Sequence, residues 1–190
     1  MIPSRHSAAR AGAVIIAVAA AVAMSALHLE GNAAVDALWR GMTMQAYQQA
    51  ALSLVLLVGG LFSAAVLWSA PSVRWRLSWG AALLIAGLAH AVLVVNHVEA
   101  IHFVQYGAVA ALLCVGLRPM MAAALATGLG VFDECVQYFI LYADHPARGG
   151  AIYLDGTDML LDAIGAAMGT MLATMWWGRE EGCSPIDSAG

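Results

Sequence analysis

Six runs of apolar residues, each close to the ~20 residues that a helix needs to cross a hydrocarbon core, divide this chain from end to end. They cover approximately residues 11–29, 50–70, 77–95, 101–117, 120–142 and 157–177. Inside lipid no water reaches the backbone, so each run must satisfy its own N–H and C=O groups, and a helix does this economically. The predicted fold is therefore all-α, a polytopic transmembrane bundle of about six helices in contact with the lipid bilayer. Breakers fall between the runs: Gly31 with Asn32, Pro71, Asn96, Arg118 with Pro119, and Pro146 with Gly149 and Gly150. The longest connections, about residues 30–49 and 143–156, have room for short interfacial helices or loops but not for a soluble domain. Composition agrees, with 62% hydrophobic and 11% charged residues, against about 25% charged in soluble domains.

All eight basic residues are Arg, and their placement orients the bundle. If the runs alternate in direction, Arg5, Arg10, Arg74, Arg76, Arg118 and Arg179 share one side, with Arg40 and Arg148 opposite. The positive-inside bias then puts both termini in the cytoplasm, for a multi-pass protein of the bacterial cytoplasmic membrane. Trp68, Trp75, Trp79, Trp176 and Trp177 fall at the cytoplasmic edge, and Tyr138, Tyr142 and Tyr153 at the outer edge. A rival for the first run is a signal peptide, since Arg5 and Arg10 precede it and small residues end it, but it is long for a signal core. The net charge of −4 excludes an electrostatic footprint for nucleic acid. Cys114, Cys135 and Cys183 form no disulfide framework and no zinc spacing.

Polar residues gather toward the outer ends of the last three runs. His102 and Tyr106 are four apart and stack on one helical face; Asp158 and Asp162 repeat that spacing. Asp133 and Glu134 stand four and three residues before Gln137, so that both carboxylates are expected to flank it. At 1.5 Å per residue these groups lie within roughly 10 Å of the outer boundary. A carboxylate at the centre of a transmembrane helix costs about 2.5–3.5 kcal/mol, so the four should face inward with partners. Arg148 is the one strong cation nearby, and a single guanidinium does not neutralise four carboxylates. The surplus implies a bound cation, a protonated histidine, neutral carboxyls or a cationic ligand group.

Structural readings stand beside these. Asp133 and Asp158 pairing with Arg148, or His102 bonding Tyr106, would serve helix packing alone. Gly165 and Gly169 read as a close-packing stripe. His90 and His97 read as interfacial polar residues, and His97 and His102, five apart, splay off one face. No phosphate loop, nucleophile elbow or HExxH run is present.

The blocks "IHFVQYG", "DECVQYF" and "DMLLDAIGAAMG", carrying His102, Tyr106, Asp133, Glu134, Gln137, Asp158, Asp162, Gly165 and Gly169, together with Pro146 and Arg148, resemble the VanZ-like membrane proteins. The resemblance covers roughly residues 96–172. It divides the chain into an N-terminal three-helix membrane region (1–95), a VanZ-like three-helix membrane region (96–178) and a disordered cytoplasmic tail (179–190). Val98 and Glu99 stand where the family often has Asp-Lys, Asp162 where it often has Asn, and "GGAIYLDG" lengthens the stretch after Arg148. The resemblance implies a link to tolerance of glycopeptide antibiotics, and so a cell-envelope lipid or lipid-linked precursor headgroup as partner. On that expectation Tyr106, Gln137, Arg148, Asp158 and Asp162 bind the ligand. His102, Asp133 and Glu134 are the candidates for acid–base catalysis, with or without a divalent cation. The alternatives are a membrane-embedded hydrolase or transferase, and a structural or assembly subunit without ligand.

Overall fold

Every apolar run is helical in the structure, a computed structural model that describes residues 5–38, 40–143 and 154–181. In chain order the helices are α1 (Arg5–Ala26), α2 (His28–Leu38), α3 (Met44–Ser69), α4 (Val73–Leu93), α5 (Ile101–Leu113), α6 (Pro119–Val136) and α7 (Gly156–Glu181). A 3-10 turn, His97–Ala100, leads into α5, and a π-helical turn, Gln137–Leu141, prolongs α6. There is no strand among the described residues, and the fold is an all-α bundle. Among the described residues five stretches are long and apolar enough to cross a membrane: Ala9–Ala26, Met44–Ser69, Val73–Leu93, Pro119–Leu141 and Gly156–Trp177. This is a multi-pass membrane protein. The connection after the first span holds the short helix α2, and the tail beyond Glu181 lies outside the described residues.

Local chemistry fixes the helix ends. Thr43 and Ser72 cap α3 and α4, their hydroxyls accepting Ala46 N at 3.2 Å and Trp75 N at 3.4 Å, donors that a helix start leaves unpaired. Pro119 opens α6 with Arg118 in extended conformation before it, as the proline ring requires. The run expected to reach residue 117 stops as an α-helix at Leu113. From Cys114 onward the backbone shifts to tighter bonds, Gly116 N to Leu113 O at 3.0 Å among them. With 13 residues, α5 is about 20 Å long, shorter than the hydrocarbon core.

Contacts at the two ends establish that the spans alternate. At one end His28, after α1, meets Tyr142, after α6, and Gln48, at the start of α3, bonds Asn96, after α4. At the other end the Arg10 carbonyl of α1 packs on Gly116 beyond α5, and Val66 and Ala70 of the α3 end pack with Trp79 of α4 and Met175 of α7. Arg10, Arg74, Arg76 and Arg118 all belong to this second end.

The centre of the molecule is α5, α6 and α7, joined by α1. Ala17 and Ala21, Val109, Ala110 and Leu113, Ala122 and Ala126, and Ala166 form a core of mostly small side chains that lets four helices draw close. Three glycines set the α5–α7 distance. A Cβ on Gly165 would stand 2.6 Å from the Phe103 carbonyl oxygen, and one on Gly169 would overlap the Gly107 carbonyl. These two helices therefore touch backbone to backbone. By contrast α3 and α4 turn Leu56, Leu61, Leu77, Leu84 and Leu88 outward, each more than 60% exposed, a surface that suits lipid.

Replacing Gly169 by Ala should lower stability in detergent unfolding by about 1–3 kcal/mol, the usual cost of overpacking. Gly59→Ala, at a position with open space around it, should be neutral or stabilising by up to about 1 kcal/mol. Equal behaviour of the two variants would contradict the backbone contact.

Candidate functional site

The seam of glycines brings the first turn of α5 against the first turns of α7, while the end of α6 closes the third side. At the start of α7, Asp155 Oδ1 accepts Thr157 N at 2.7 Å and Asp158 N at 3.4 Å. This cap fixes where the helix begins, and so the face on which Asp158 and Asp162 line up. On α5 the rings of His102 and Tyr106 lie nearly parallel, 13° apart in plane and 6.4 Å between centroids.

His102 is the hub. Its Nδ1 lies 2.8 Å from Asp162 Oδ1, and its Nε2 lies 3.6 Å from Asp158 Oδ2. Asp162 is completely buried, where a charge without a partner is strongly unfavourable. A carboxylate at hydrogen-bond distance makes Nδ1 the proton-bearing nitrogen, so Nδ1 donates to Asp162. The Asp162 side chain fits because Gly130 faces it: a Cβ there would stand 2.8 Å from Asp162 Cγ. Tyr106 donates its hydroxyl to Asp133 Oδ2 at 3.2 Å, and Gln137 donates its amide to Glu134 Oε1 at 3.2 Å.

His102, Tyr106, Asp133, Glu134, Gln137, Asp158 and Asp162 thus stand around one junction of three helices. One detail differs from the spacing argument: Gln137 serves Glu134, while Asp133 turns to Tyr106. Asp133 finds a better donor across the helix interface, and the π-helical turn starting at Gln137, closed by Tyr142 N to Gln137 O at 2.9 Å, re-aims the residues after it. Arg148 lies outside the described residues.

Two neighbours of the cluster were not among the expected residues. Glu99 sits in the 3-10 turn before α5; burial raises its carboxyl above the ordinary range, and the Asp158 charge adds to this. His28 Nε2 is 3.1 Å from the Tyr142 hydroxyl; burial lowers its basicity, and the Asp133 charge works against that. The signals in sequence were weak: Glu99 precedes His102 by one helical turn, and His28 ends the first apolar run. His90 and His97 form a separate pair with each other, rings stacked and nitrogens 3.1 Å apart, and Gln48 accepts the His97 backbone N–H at 3.0 Å.

Electrostatically the cluster is unbalanced. Among the described residues Asp133 Oδ1, Asp158 Oδ1 and Asp162 Oδ2 are buried with no hydrogen-bond partner, and no Arg pairs with any of the four carboxylates. Such a site can accept O–H or N–H groups, hold a cation, or pass a proton through His102. Comparisons with family models, with curated proteins and with solved structures found no match.

Tyr106→Phe should destabilise the folded protein by about 1–3 kcal/mol, because Asp133, only 5% exposed, loses its one donor among the described residues. Tyr138→Phe, at the lipid-facing surface, should stay within about 0.5 kcal/mol. Unfolding of both variants in the same detergent checks this.

Proposed function

We propose that the chain is a VanZ-like protein of the bacterial cytoplasmic membrane, and that the three-helix cluster binds the headgroup of an envelope lipid or lipid-linked precursor. The observation that carries this reading is the set of buried carboxylate oxygens left without hydrogen-bond partners among the described residues at one end of the bundle. Unsatisfied acceptors in a membrane protein favour a ligand rich in O–H and N–H donors, such as a sugar or amine headgroup, since each unpaired group carries a desolvation cost of about 1–3 kcal/mol. The cluster's own helices expose Ile101, Phe139, Ile140 and Leu160, apolar surface for the chains of a lipid whose headgroup enters the site. Orientation follows from charge: Arg10, Arg74, Arg76 and Arg118 belong to the end opposite the cluster, which supports a cytoplasmic location for both termini and an outer location for the site.

A second reading, acid–base hydrolysis or transfer at the same headgroup, is favoured by the His102–Asp162 pair. A carboxylate that fixes the protonated nitrogen leaves Nε2 as an acceptor, the arrangement used by a general base.

The full chain purified in nanodiscs from native membranes should retain a lipid with a hydroxyl- or amine-bearing headgroup by mass spectrometry. Asp158→Asn should lose most of it, on the order of tenfold, while melting like the parent. Equal lipid content in the two would favour a cluster that only holds helices together. A reporter fused after Gly178 should be active only in a cytoplasmic format; activity outside would overturn the orientation.

A further inference from the structure

Among the described residues, His102, Glu134 and Asp158 each present one ligand atom from a different helix, all within 4.8 Å of one another. Imidazole nitrogen with carboxylate oxygen is the donor set of zinc and related first-row ions. The separation of His102 Nε2 from Asp158 Oδ2, 3.6 Å, is too long for a hydrogen bond. It is close to the roughly 3.4 Å that separates two ligand atoms sharing a tetrahedral ion at about 2.1 Å from each. Glu134 closes the remaining spread, having the longest and most flexible side chain of the three.

Independent features point the same way. His102 is only 8% exposed, and among the described residues its Nε2, on the side of Asp158, makes no hydrogen bond. Beside it, Asp133 and Asp162 are 5% and 0% exposed, and each keeps an oxygen without a partner among the described residues. Finally, the other ring nitrogen of His102 is bonded to Asp162 at 2.8 Å. A metal-ligating histidine almost always donates its second nitrogen to a carboxylate or carbonyl in this way, which fixes the tautomer and strengthens the ligand.

We propose that His102, Glu134 and Asp158 bind one first-row divalent transition-metal cation, with Asp162 as the positioning residue for His102. Three protein ligands leave a coordination position open to water or to an oxygen of a bound molecule. The cation supplies positive charge that no described Arg gives these carboxylates, and it binds whether or not a lipid headgroup does. Glu99, from the turn before α5, adds to the negative field at Asp158.

The test uses the full chain in nanodiscs, carried on a tag without histidine, stripped with chelator and titrated with Zn2+ or Mn2+ by calorimetry. One ion of at least one of these metals should bind per chain. His102→Ala and Glu134→Gln should weaken binding by at least roughly 100-fold, and Asp162→Asn, assayed as folded protein, by about 10–100-fold. His97→Ala, in the separate histidine pair, should bind as the parent does. Should a ligand variant fail to fold, X-ray absorption of the metal-loaded parent decides. One imidazole nitrogen with carboxylate oxygens supports the site; a shell without imidazole overturns it. Absence of stoichiometric binding of both metals, or unchanged affinity in a folded His102→Ala, overturns it as well. Loss of lipid retention with metal binding intact would instead remove only the headgroup reading.

Discussion

The bond between His102 and the wholly buried Asp162 is the interaction around which the α5–α6–α7 centre of this molecule is arranged. A carboxylate inside a membrane bundle is tolerated only with a partner, and His102 is the partner that the helix packing supplies. Its consequences spread outward. With Nδ1 engaged, the ring is held nearly parallel to Tyr106, whose hydroxyl then reaches Asp133, and Nε2 is on the side of Asp158. The single pairing thereby sets the direction of two further polar side chains on two other helices.

That pairing depends on distance, and distance depends on glycine. Gly165 and Gly169 on α7 lie against the backbone of Phe103 and Gly107 on α5, while Gly130 on α6 leaves the space that the Asp162 side chain fills. Without a hydrophobic driving force between helices in lipid, close backbone approach and interhelical hydrogen bonds are what hold them. Here the same residues do both: the glycines permit contact, and the contact desolvates the carboxylates. The long apolar helices α3 and α4 contribute little to this centre and give their surfaces to the bilayer.

Much of this was legible in the sequence because the bilayer imposes one length and one periodicity. Runs of about 20 apolar residues forecast the spans, and the four-residue spacings of His102 with Tyr106 and Asp158 with Asp162 forecast shared faces. The shortness of α5 was less visible, since residues 114–117 are apolar enough to continue a helix and only the backbone bonding departs from it. Pairings across helices were not legible at all. Nothing local says that Asp133 takes Tyr106 while Glu134 takes Gln137, or that Asp162 rather than Asp158 sits 2.8 Å from His102. Likewise His28 and Glu99 reach the cluster through tertiary folding, with no motif to mark them. Spacing fixes a face, and only packing fixes a partner.

A double-mutant cycle between His102 and Asp162 tests this account most directly. Unfolding free energies of the parent, His102→Gln, Asp162→Asn and the double variant, in one detergent, isolate the pairwise term. A buried hydrogen bond to a charged group predicts a coupling of about 1.5–3 kcal/mol. A coupling near zero, with all four proteins folded, would contradict the central place given to this pair.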